Sequence, residues 1–438
     1  MLVFSIDGLP LYAFGVKALD YNSKIVYSSI ADPLFRYDRT LRKYVPHACA
    51  SFFCDRHAKK YVLNTRNDLY YSDGTKVGAE DYVIPIQWGL SEHFGIDNVK
   101  VTVEKNTNTI LIRFPFTVKL VPQMLSHYLI SPEKNGLTSG PYTINKITDN
   151  SIEVKRNQYF RLAQKNREAN SIIFRLSKNH EADLIAFTTG ETNMTCNTTF
   201  PVNSIHIYKD DLYIEPSGIC LTINFCSEQF LAKNGRRRRR FVLHAINRLN
   251  CCNLLQNTVV PANDFFASEY NVKKDVLFNP KCAAIISKKN LFPHRELVLA
   301  YDDYYPNEII ARSIAHSIER FGISVKLVVD DFALPNQECD MRIVLIHPDY
   351  FDKASFYLSG FFLYLMHLYG CGGIFSLPRI CGFKAVGESS KEIIIMKQLH
   401  KTFLKVAPKI PVLKMQSIYM ASQEFGDFSF LSMNYYDL

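Results

Sequence analysis

Val99, Val101 and Val103 alternate with polar residues, Lys105 to Asn108 turn the chain, and Ile110, Ile112 and Phe114 alternate again. A period of two on both sides of a turn predicts an antiparallel hairpin. Tyr142 to Ile147, a turn at Asp149-Asn150, and Ile152 with Val154 predict a second one. The first seven residues, Met1 to Asp7, lack the basic start and long apolar run of a signal peptide and read as an opening strand.

The pattern changes after Leu297. Leu297 to Tyr301 is a short apolar run, as a strand buried on both faces requires. Pro306-Asn307-Glu308 starts a helix whose stripe is Ile310, Ile314, Ile318 and Phe321, and Gly322 ends it. Val325 to Val329 and Ile343 to Ile346 are the next strands. A β-α-β-β order predicts a right-handed crossover, and ligands in such sheets bind beyond the carboxyl ends of the strands. Asp302 and Asp303 lie at one such end and Asp349 at another, with Tyr301, Tyr304, Tyr305, Tyr350 and Phe351 close by in sequence. These are the candidate ligand-binding residues. Ala354 to Leu377 carries no Lys, Arg, Asp or Glu. It is long enough to span a bilayer, but its polar residues and three glycines predict a buried helix ending in a Gly-rich loop.

Composition narrows the class. A chain of 438 residues can form two or more domains, and 47% hydrophobic with 21% charged residues is ordinary for a globular protein. A net charge of +9 permits an anionic neighbour without calling for nucleic acid. Eleven cysteines lean towards a reducing compartment and mainly free thiols. Cys54 and His57 are at most half of a zinc site, so no metal and no cofactor is expected. The run Arg236 to Arg240 leads into an apolar helix and reads as its solvated entry. The chain has no Gly-x-Ser-x-Gly, His-Glu-x-x-His, Walker or dinucleotide motif, and nothing points to an enzyme.

Ser72-Asp73-Gly74-Thr75 is a tight turn, and Gly78-Ala79-Glu80-Asp81 opens a helix with early carboxylates at its positive end. Its wording resembles the SDG-x-x-x-x-AED signature of the family 5 solute-binding proteins, the peptide- and nickel-binding receptors of ABC importers. Further segments are similar to that family in its own order. They are Ser29 to Asp38, Tyr61 to Arg66, Thr138-Ser139-Gly140-Pro141-Tyr142, Arg156 to Phe160, and Ile223-Asn224 with Arg240 and Ala245 to Arg248. Asp349 to Asp352 with Phe356, and Ala407 to Val412, complete the series.

The resemblance implies an α/β, two-lobed periplasmic-binding-protein-like fold with an extra small domain and a ligand cleft between the lobes. It places 1–22, 165–245 and 408–438 in the first lobe, 23–164 in the appended domain and 246–407 in the second lobe. It implies a monomeric receptor for a small peptide or peptide-like ligand, handing it to the membrane subunits of an ABC importer. The location implied is periplasmic or cell-surface, the alternative being a cytoplasmic ligand-sensing module of the same fold. Asp349 takes the place of the family Asp that pairs with a ligand's α-amino group. Asp302 stands where dipeptide binders carry a carboxylate-clamping Arg, and Ile346 replaces a Trp. These departures favour an amine-bearing ligand over a plain dipeptide.

Overall fold

The computed structural model describes residues 1–347 and 400–422, except 13, 16–17, 19, 39, 42, 163–168, 178, 257, 266–273, 289–291, 293–295 and 332–337. The apolar segment from Ala354 and the candidates Asp349, Tyr350 and Phe351 lie outside the described residues.

The chain opens on strand β1 (Leu2–Ile6) and helix α1 (Tyr21–Ser28), whose N-cap Asp20 accepts the Ser23 amide at 2.9 Å. Strands β2 (Cys49–Cys54), β3 (Lys60–Thr65), β4 (Lys100–Val103) and β5 (Thr109–Arg113) form an antiparallel sheet in the order β2-β3-β5-β4. The β4–β5 pair is the hairpin that the valine alternation predicts. Strands β6 (Tyr142–Thr148), β7 (Ser151–Arg156) and β8 (Ser171–Leu176) join the opening strand in the order β1-β8-β7-β6. The second predicted hairpin is β6–β7, and β1 runs parallel to β8.

A six-stranded sheet is built from β9 (Leu212–Phe225), β10 (Val259–Pro261), β11 (Glu296–Asp302), β12 (Ser324–Asp330), β13 (Met341–Ile346) and β14 (Lys409–Met420). Its order is β10-β14-β9-β13-β11-β12. Helices α2 (Arg236–Ala245), α3 (Arg248–Leu254) and α4 (Asn307–Glu319) accompany it, and Gly322 after α4 has φ +76°, as a helix stop requires. β11 is parallel to both β12 and β13, so the crossover predicted over Leu297–Ile346 is present.

Each sheet covers its own core. One contains Tyr61, Leu63, Tyr82, Phe94 and Ile112, a second Phe4, Tyr27, Tyr142 and Phe174, and a third Phe241, Leu297, Ile310, Ile314 and Met341. Leu221, Ile223 and α2, placed by resemblance in the first lobe, pack in this third core.

β9 and β14 cross between cores. Leu212–Pro216 pairs with the end of β14, near Phe200 and Ile418, whereas Leu221–Asn224 pairs with its start, in the third core. Between them the register slips: Pro216 faces Gln416 and Cys220 faces Lys414. The bulged residues include Gly218 at φ +68°, a conformation that favours glycine. Ser217 Oγ fastens the bulge by donating to Met415 O at 2.9 Å.

The arginine run is not a solvated entry. Arg239 is 1% exposed and donates to Phe230 O and Val406 O, Arg236 Nε donates to Lys405 O at 3.0 Å, and Arg238 Nη1 to Gln229 O at 2.9 Å. A helix beginning on a run of one residue type still turns its faces in different directions, and here these faces meet chain ends with carbonyls to satisfy. The nine described cysteines are unbridged thiols.

The turn at Ser72–Thr75 is as the sequence predicts: Asp73 Oδ1 accepts the Thr75 amide at 2.8 Å, and Gly74 has φ +89°. Gly140 sits against backbone. A Cβ there would lie 2.3 Å from the Ile30 carbonyl carbon and 2.6 Å from the Ala31 amide nitrogen. Gly140→Ala should therefore lower stability by about 1–3 kcal/mol, the usual cost of overpacking. Urea unfolding checks this, and an unchanged midpoint would show that the Ile30 segment yields freely.

Candidate functional site

β11 and β12 are parallel neighbours, and each ends in aspartate, with Asp302 in register with Asp330. Arg342 lies on β13, on the other side of β11. Its Nη2 donates to Asp302 Oδ1 at 3.0 Å and its Nη1 lies 3.1 Å from Asp330 Oδ2. A third contact runs from Nη2 to Asp331 O at 3.2 Å. One guanidinium thus serves two carboxylates. Burial pushes the Asp302 carboxyl up, while Arg342 holds it down and Asp330 and Asp331 push it up further.

The remaining described candidates separate. Tyr301 is buried in the third core, 6% exposed, and Asp303 is exposed. Tyr305 faces the other way. Its hydroxyl accepts the Val202 amide at 3.3 Å, and its ring lies 4.6 Å from that of His180. Tyr305 also lines a pocket with Thr198, Val202, Thr258, Met415 and Gln416. The pocket's cavity volume is about 20 Å³, room for about one water molecule and well short of a ligand site. It is bounded by β14 beside the bulge and by residues of both crossed regions. Tyr304, between the two groups, has its hydroxyl pushed up by burial and by the charges of Asp7 and Asp302.

Asp7 is a residue that the sequence reading passed over. It follows β1 directly, as Asp302 ends β11 and Asp330 ends β12. Thr198 Oγ1 donates to its Oδ2 at 2.6 Å. Burial pushes its carboxyl up, against the hydrogen bonds of Thr198 and Asn22. Beside it the Tyr21 hydroxyl accepts from Asn197 Nδ2 at 3.1 Å, and the Tyr21 ring meets that of His347 at 5.9 Å. The missed residues had a signal. Leu2–Ile6 and Val325–Val329 are both mainly apolar segments followed by Asp, close to the pattern that singled out Asp302. Arg342 is a lone charge within an apolar strand, and such a residue needs a partner.

The described residues contain no group of three His, Cys, Asp or Glu placed to hold a metal, and no described helix is long and apolar enough to cross a membrane.

Residues 43–363 match the family model described as bacterial extracellular solute-binding proteins, family 5 middle. The chain belongs to this family. Its members are binding receptors and not enzymes. Among solved structures, the murein tripeptide binding protein MppA of Escherichia coli is 16% identical with a TM-score of 0.81, over 96% of this chain and 94% of that one. OppA of Haemophilus influenzae, complexed with the peptide RPPGFSPFR, is 14% identical at a TM-score of 0.77, covering 96% and 94%. The ABC transporter-associated periplasmic binding protein DppA of Helicobacter pylori, with the peptide STSA, is 16% identical at 0.78, again over 96% and 94%. No curated protein sequence matches the chain. The fold is therefore the two-lobed α/β receptor fold of family 5.

Proposed function

We infer that this family 5 receptor binds a peptide or peptide-like solute bearing an amine and delivers it to an ABC importer by closing its lobes. The observation that carries the reading is the set of aspartates at strand ends: Asp7, hydrogen-bonded to Thr198 of the Tyr305 pocket, and Asp302 in register with Asp330. Acidic side chains at strand ends suit a cation better than a ligand carboxylate. Asp349 is the further anchor for the ligand amine, by resemblance. The bulge in β9 is the proposed pivot.

A location outside the cytoplasm is supported by the family and by relatives that are periplasmic binding proteins. The cytoplasmic reading is supported by one observation, the nine unbridged thiols. Fractionation of cells expressing the full-length gene separates the two.

The ligand is tested by thermal shift with matched peptides, free and amidated at the C-terminus, including Lys- and Arg-containing ones. Amidated and basic peptides should stabilise the protein most, and Asp302→Asn should weaken that preference. Stronger stabilisation by neutral dipeptides with free carboxylates would overturn the proposed charge selectivity, and would make Arg342 a carboxylate clamp.

A further inference from the structure

The sheet β2-β3-β5-β4 turns one face to its core and the other outward. On the outward face, register sets Lys60 opposite Arg113 and Arg113 opposite Lys100. All three side chains are exposed. Directly opposed residues of an antiparallel pair stand about 5 Å apart at Cβ, where like charges repel. Three cations in one row are thus held against their own repulsion. Asp55 is the nearest carboxylate to Lys60 in the chain, but it is engaged by the β2–β3 turn, accepting the amides of Lys59 at 2.7 Å and Lys60 at 3.0 Å. Arg56 and Lys59 in that turn are exposed cations, and so is Lys119, whose neighbour Val118 bonds to Ala58 O at 2.8 Å. Asp97, just before β4, is an exposed carboxylate near this end.

The next row on the same face is apolar. Phe53 pairs with Val62, Val62 with Leu111, and Leu111 with Thr102. A band of cations therefore lies directly beside a row in which Phe53 is 63% exposed and Val62 and Leu111 are half-buried.

We propose that this face docks on an anionic phospholipid bilayer. Cations alone would suit any polyanion, but the adjoining apolar row selects an interface with two layers. Headgroup phosphates take Lys60, Arg113 and Lys100, while Phe53 enters the boundary with the acyl chains. None of the candidate ligand residues belongs to this sheet.

The test is flotation of the full-length protein with pure phosphatidylglycerol or pure phosphatidylcholine vesicles at low and physiological salt. Binding is expected to phosphatidylglycerol only and to weaken with salt, because exposed charges are screened. The triple variant K60Q/R113Q/K100Q should lose roughly a hundredfold in partitioning, from about 1 kcal/mol for each cation near the surface. Its thermal midpoint should stay level or rise, since the repulsion is relieved, which separates lost binding from lost folding. Phe53→Ser should weaken binding with the salt dependence intact. Equal binding to both vesicles, absence of binding to either, or unaltered binding by the triple variant would each overturn the proposal.

Discussion

Replacing Arg248 with leucine should destabilise the protein by about 3–5 kcal/mol, the range for removing one partner of a buried charge pair. The Arg248 side chain is 0% exposed and that of Asp275 1%, with Nη1 to Oδ1 at 3.4 Å. Arg248 Nε also donates to Pro411 O at 2.9 Å, and its Nη1 to Ile246 O at 3.2 Å. The arginine thereby ties the start of α3 to β14. Asp275 in turn accepts the amides of Arg248, Leu277 and Phe278. Leucine would strand a buried carboxylate and two carbonyls at once. Lysine should rescue little, because its single ammonium cannot reproduce the planar fork. R248L/D275L should recover part of the loss relative to R248L. Urea denaturation reads all three variants, and a loss below about 1 kcal/mol for R248L would mean that the pair contributes no more than an exposed one.

Lys409→Met should act in the opposite sense. Lys409 is 6% exposed, and burial pulls its ammonium down to about 8, partly opposed by Cys220. An unfolded chain keeps this lysine protonated to about 10.4. Below pH 8 both states carry the proton, and the folded state bears the full cost of burying it. As pH rises from 8 towards the unfolded value, the folded state sheds the proton first and the wild type gains stability. Methionine removes the charge at every pH. Relative to the wild type the variant should thus gain most at neutral pH, with the advantage fading towards pH 10.5. Cys220, pushed up to about 12 by burial and held down in part by Lys409, titrates above the window in which Lys409 acts. A difference that does not change with pH would mean that Lys409 is neutral when folded or solvated throughout.

The family motifs were legible because they are joints of the scaffold. Gly140 of the Ser-Gly-Pro-Tyr segment bonds to Ile30 O at 3.0 Å, and Asn157 Nδ2 donates to Gly140 O at 2.9 Å. Asp32 of the opening segment is buried between Arg161 and His47, and the Tyr82 hydroxyl donates to its carbonyl at 3.0 Å. Arg248 reaches Pro411, joining two more motifs. Contacts of this kind need particular residues, so they leave recognisable wording. Hairpins and the crossover were legible because period two and a helical stripe state which face is buried. The site was less so. Asp302 was visible at its strand end, but its tie to Arg342 is made across a sheet, 40 residues away in the chain. Tyr301 and Tyr305 are only four positions apart, yet one enters a core and the other a pocket. The arginine run misled because composition does not say which of five radiating side chains meets a carbonyl.

The last described strand is central to its sheet. β14 lies between β10 and β9, and β10 pairs with nothing else in that sheet. Leu212–Pro216 likewise pairs with β14 alone. A nascent chain must therefore present β9 and β10 to solvent until Lys409–Met420 has emerged, some two hundred residues after β9. Contacts of such separation have a high loop-closure cost and form slowly. The six-stranded sheet is thus completed only after nearly all of the chain has been synthesised, and a chain stopped before Lys409 would present two unpaired edges to aggregation.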